Sequence, residues 1–175
     1  MNMHPCPGCK GLFPTSEGAC FRYGTSSPGC WEAFTKLLGL EYDKFIPTHN
    51  RLIVDAYAVQ HPQNIPLQKL KGINERLIAA SIQSVHVHLF ALYCAFEKNI
   101  PYTAISMCMN KFLKQPAHAP FTPPENLGTV TIQDFQPTFS QQEYEGYAKK
   151  WALVSWNAWS LYHPIIETWY EELDR

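Results

Sequence analysis

The sequence predicts a mainly α protein: a helical bundle of four or five helices with an irregular, zinc-binding knuckle at its N-terminus. Three observations lead there. Apolar residues recur at helical spacing through most of the chain beyond residue 30, with no strand alternation of any length and no glycine-rich phosphate loop. Residues 1–30 hold four of the six cysteines and five of the nine glycines without apolar periodicity, so something other than a core must organise them. A length of 175 residues suits one domain, which buries roughly 70% of the surface its unfolded chain would expose. The expected layout is therefore a knuckle over 1–30 and a bundle over 31–175, packed together as one domain.

Each helix has its own local signal. Ser27-Pro28-Gly29-Cys30 leads into a stretch where Trp31, Phe34, Leu37 and Leu38 share a face, so a first helix starts near Cys30. Leu52, Ile53, Ala56 and Val59 line one side of a second helix that stops at Pro62, because proline disfavours a helical residue before it. Residues 73–98 are apolar nearly all round, and no charged residue stands between Leu77 and Phe96. That length could cross a membrane, but Ser81, Gln83, Ser84, His86 and His88 sit at its middle, where hydrocarbon would leave them unpaired. It reads as the buried central helix of the bundle. Pro101 opens a further helix, and prolines 116, 120, 123, 124 and 137 mark a long irregular crossover in which His118 is expected to be exposed. Thr131 and Asp134 form a capping box for one short turn. Ser140 and Glu143 form a second box before a long aromatic helix that runs at least to Tyr162 and is kinked or ended at Pro164.

Composition narrows the function classes. Fourteen basic residues balance fifteen acidic ones and none cluster, so no surface is available to neutralise a nucleic-acid backbone. The start MNMHPCPGCK has neither a basic leader nor an apolar core, which points to a reducing cytoplasm. Charged residues are only 17% and aromatics 14%, a balance that predicts self-association.

The strongest chemical signal is Cys6-x2-Cys9, followed by Cys20 and Cys30. A CxxC turn with Gly8 inside it lets two thiolates face one ion, and two more complete the tetrahedral set zinc accepts. Cys30 stands at a helix start, where unpaired amides favour a thiolate. A Zn2+ held by four cysteines is closed to water and hence structural; His4 is the reserve ligand. Cys94 and Cys108 lie in apolar runs and read as small core hydrophobes.

These residues carry a resemblance. CPGC near the N-terminus, SPGCW at 27–31, HNRLIVDAYAVQHP at 49–62, QSVHVHL at 83–89 and the WxxxxWxxW helix at 151–159 resemble an uncharacterised bacterial domain family of unknown function. Members usually have His-x-Tyr where this chain has Cys20-Phe21-Arg22-Tyr23, so the resemblance implies a ligand there, a histidine in relatives and Cys20 here. It implies no activity.

The remaining candidates are His49, Asp55, His61, His88 and His163. On a regular helix, six residues advance about 600°, so His49, Asp55 and His61 project about 120° apart and cannot share an ion. His86 and His88 fail likewise. His49, His88 and His163 come from three different helices and project inward, as in the three-histidine bundles of thiol-transferase type, where such a set holds a catalytic metal with an open position. The alternative is that each is a core histidine bonded to a neighbour. Asp55, amid apolar residues, needs a partner, and Arg51, His86, His88 and His163 are in range of the argument. Two functional readings follow. One is a binding or interaction domain with a structural zinc and a small-molecule pocket between the His49 helix, the His88 helix and the Trp156/Trp159/His163 face; the other is a metal-dependent enzyme of hydrolase or thiol-transferase type built on that histidine set.

Overall fold

The computed structural model describes residues 2–45, 50–63 and 75–173, with the side chains of residues 50 and 51 left aside. The first 30 residues are not entirely irregular. Strands β1 (Met3–Pro5) and β2 (Leu12–Pro14) pair antiparallel with His4 opposite Phe13, so the CPGC turn is the tip of a small hairpin. Phe13 points inward and is buried, which anchors the hairpin on the bundle.

Helix α1 (Pro28–Lys44) begins as its sequence requires: the Ser27 side chain accepts from the Cys30 amide, and Pro28 fills the first helical position, where no N–H is missed. Its inward stripe is Cys30, Phe34, Leu37 and Glu41. Burial pushes the Glu41 carboxyl above its usual range, and the Tyr144 hydroxyl donates to it, which satisfies the group from α5.

Helix α2 (Asn50–Gln60) is buried from Leu52 to Pro62 with only Val54 partly exposed. This revises the one-sided helix expected from its apolar stripe. The reason lies outside the helix: α5 and α3 cover two sides and the N-terminal loops a third, so polar side chains on α2 are buried along with apolar ones. Helix α3 (Glu75–Phe96) is buried mainly over Val85–Cys94, while Glu75, Arg76, Ala79 and Gln83 reach the surface. Among the described residues it alone is long and apolar enough to cross a membrane, and it packs against α2, α4, α5 and α6.

Helix α4 (Tyr102–Phe112) stacks Phe112 on Phe90 of α3 at 4.7 Å between ring centres. The crossover that follows is held by side chains rather than by regular structure. Gln60 donates to the carbonyls of Leu127 and Val130, and Tyr162 bonds both backbone groups of Thr122. Thr131 and Asp134 cap a short 3-10 turn at 132–134, from which Gln133 bonds the backbone of Leu12 in β2. Helix α5 (Gln141–Ala158) starts on the Ser140/Glu143 box. It ends before Tyr162, and a 3-10 turn (Ser160–Tyr162) leads into α6 (His163–Leu173). Pro164 therefore opens a sixth helix instead of ending the fifth: in the first turn its missing N–H has no acceptor to lose.

Candidate metal centre

The hairpin tip, the start of α1 and the end of α2 meet at one point. Sγ of Cys6, Cys9 and Cys30 and a ring nitrogen of His61 lie within 4.8 Å of one another, and all four residues are buried. Cys9 Sγ and Cys30 Sγ are 3.8 Å apart, too far for a disulfide, and Cys30 Sγ lies 3.3 Å from His61 Nε2. Around a tetrahedral ion with metal–sulfur bonds of ~2.3 Å and a metal–nitrogen bond of ~2.05 Å, those separations should be about 3.8 and about 3.6 Å. Three thiols and one imidazole within 4.8 Å of one another, with these two separations close to the tetrahedral values, could hold a metal ion.

Backbone hydrogen bonds shape the tip. The Cys6 amide donates to the Gly11 carbonyl at 2.7 Å and the Lys10 amide to the Cys6 carbonyl at 3.0 Å, with Lys10 at φ 64°. The Ser27 amide donates to Cys6 Sγ at 3.4 Å. Two glycines are required by close approach: a Cβ on Gly8 would lie 2.5 Å from the His61 ring, and one on Gly24 would lie 1.7 Å from the His61 carbonyl oxygen. His61 itself is fixed by Tyr57. Its Nδ1 donates to the Tyr57 carbonyl at 2.7 Å, which leaves Nε2 as the ligand atom. The Tyr57 ring stacks on His61 at 4.0 Å and its hydroxyl donates to Cys30 Sγ at 3.6 Å.

The thiols also perturb one another. Hydrogen bonds from Cys30 and then Cys9 hold the Cys6 thiol far below its usual range, and Cys6 and Cys9 push the Cys30 thiol far above its own. Three buried thiolates cannot share this space without a cation, and a divalent ion removes the conflict.

The structure groups three of the four expected cysteines. Cys20 is exposed and stands outside the group, whose fourth member is His61. Packing explains the exchange, because Phe21 turns inward against Trp31 and Tyr57, at 5.5 and 5.6 Å, in place of its neighbour. His4 is exposed on β1 and not part of the group either. The signal that marks His61 is Pro62: it ends α2 at Gln60, so His61 stands just past the helix, beside the loops. Cys94 is buried, its thiol pushed up to about 12 mainly by burial, as a core residue would be.

The other candidates divide. Asp55 is buried and accepts from His88 Nδ1 at 2.6 Å and from the Tyr102 hydroxyl, so its partners come from α3 and α4. Tyr102 escaped the sequence reading because nothing local links it to Asp55. His163 bonds the Trp156 carbonyl at 3.1 Å and stacks on the Trp156 ring at 3.6 Å. Among the described residues no group of three metal ligands includes His88 or His163. His49 lies outside the described residues. Gln60, also expected to line a pocket, is satisfied by the crossover and by Trp151 Nε1 at 2.8 Å.

A family model matches residues 4–160. The chain belongs to DUF5946, a family of unknown function. The match spans the whole Cys6/Cys9/Cys30/His61 group together with Asp55, His88 and Tyr102, and stops before His163. No curated protein and no solved structure matches the chain.

Proposed function

We propose that this DUF5946 domain is a cytoplasmic binding or interaction domain whose Cys6, Cys9, Cys30 and His61 hold one structural zinc. The observation that carries the reading is the closed donor set: four buried protein ligands within 4.8 Å of one another, with His61 oriented by Tyr57, fill a tetrahedral site and leave no position for a reactive water. The ion replaces the core that residues 1–30 lack. Because its fourth ligand comes from α2, knuckle 1–30 and bundle 31–175 form one folding unit. Scarce surface charge supports self-association. Metal analysis of the purified chain tests the reading: one tightly held zinc per chain is expected, with His61→Ala losing it and Cys20→Ser keeping it. Zinc content unaltered by His61→Ala would overturn it.

One observation favours the metal-enzyme reading as a second possibility. The Asp55–His88 pair has the form of a carboxylate that orients a metal-binding or proton-transferring imidazole, and no hydrogen bond reaches His88 Nε2 among the described residues. The sequence offers His49 and His163 as further ligands of that set. A second equivalent of metal, lost in His88→Ala while the first is kept, is its expected signature.

A further inference from the structure

A cavity of about 120 Å³ lies between the first half of α3, the end of α4 and the crossover, and shares no residue with the metal centre. Its walls include Ile82, His86, Phe112 and His118, with Gln83 and Gln115 beside them. A second, smaller cavity of about 40 Å³ is also lined by His86, together with Phe121 and Trp159. His118 is not exposed as its place in the crossover suggested. Its ring stacks on Trp169 at 4.1 Å and on Phe112 at 5.4 Å, because the proline-rich chain lies flat across these rings.

Neither imidazole has a hydrogen-bond partner among the described residues. His86 is only 2% exposed and its ring lines the cavity. His118 Nε2 is cut off from solvent with no partner. A buried polar group left unpaired is costly, so His118 Nε2 and the partnerless His86 ring beside one cavity mark a place where a polar partner is missing. Burial first, and then His118, lowers the His86 imidazole to about 4, so the ring is neutral at physiological pH. Burial lowers His118 as well. Among the described residues that line it, none is a cation that would hold an anion. Three of the walls are flat rings, those of His86, Phe112 and His118, and apolar space on the order of 150 Å³ holds one benzene-sized ring.

We infer that this cavity is a binding site for a small neutral aromatic ring bearing one hydroxyl or N–H, which donates to a ring nitrogen of His86 while the His118 and Phe112 rings form the wall. Size suits one ring, the described lining offers no charge to a carboxylate or phosphate, and the imidazole without a partner calls for a donor.

The test uses the zinc-loaded full chain, with phenol and toluene as probes of equal shape, followed by amide shifts in two-dimensional NMR. Saturable phenol binding is expected, centred on Gln83, His86 and Ala117, with toluene at least about tenfold weaker. His86→Phe keeps a ring but removes the acceptor, and should bring phenol and toluene to equal affinity. Ala117→Trp should block both probes, with zinc content reporting that each variant is folded. No saturable phenol shift up to about 10 mM overturns the inference and leaves a water-filled cavity. Equal affinity for the two probes in the parent chain, or a preference that survives His86→Phe, overturns it as well.

Discussion

His61 and His88 face opposite duties from similar arrangements. Each imidazole is oriented through Nδ1 by a group on α2: His61 by the Tyr57 carbonyl at 2.7 Å, His88 by the Asp55 carboxylate at 2.6 Å. They differ in what lies beyond the other nitrogen. His61 Nε2 meets Cys30 Sγ at 3.3 Å within a sealed set of thiols, whereas His88 is partly exposed and its Nε2 meets no hydrogen-bond partner among the described residues. A carbonyl is a fixed, uncharged acceptor, suited to holding a ligand still. A carboxylate can share charge and protons with its imidazole, which suits exchange. One short helix thus orients a buried imidazole among thiols and a partly exposed one elsewhere.

The largest effect should come from breaking the thiol site. Removal of the metal by a strong chelator, or Cys9→Ser or Cys30→Ser, should unfold the knuckle and lower the melting temperature steeply, since structural zinc contributes on the order of 10 kcal/mol in small domains. Cys20→Ser should leave both zinc content and melting unchanged. A chelated chain that melts like the parent would remove the distinction between the two histidines.

Breaking the Asp55–His88 pair should cost less. Asp55→Ala leaves the His88 ring and the Tyr102 hydroxyl without their shared acceptor, and denaturant titration should show a loss of about 3 kcal/mol with one zinc retained. Loss of zinc in this variant would mean that the two sites are coupled through α2.

A third imidazole sharpens the contrast, because His86 has neither kind of partner. Its folded value, about 4, is below its ordinary 6.5. Between these values the unfolded chain takes up a proton that the native chain refuses. The stability linked to neutral His86 is therefore complete above pH 6.5 and is lost as the pH falls toward 4, by about 2 kcal/mol between pH 7 and pH 5. His86→Phe should lose less stability over that interval, measured by denaturant midpoints with zinc present. Parallel pH curves for the two proteins would contradict it.

The smallest effect concerns local signals alone. Ser140→Ala removes the cap of α5 and should cost about 1 kcal/mol without touching zinc content or the Asp55 network, as read from the melting curve.

That last variant points to how much of the molecule is written locally. Ser27 before α1, the Thr131 and Ser140 boxes and Pro62 after α2 each act within a few residues, through a hydrogen bond or a steric block, so their elements are legible from the chain alone. Cys6, Cys9 and Cys30 were legible for the same reason, since a CxxC turn and a helix start are local geometry. Cys20 was read into the set by spacing, which counts residues but cannot see that Phe21 has more apolar surface to bury and turns inward first. His61 replaced it because α2 ends where the hairpin tip closes, a meeting of residues 6, 30 and 61 that only packing brings about. The same holds for Asp55, His88 and Tyr102, and for the His86 and His118 rings beside their cavity. Short-range bonding and helical period determine which elements form. Which side chains from distant elements come within bonding distance depends on how those elements stack, and that balance of many contacts exists only in the folded chain.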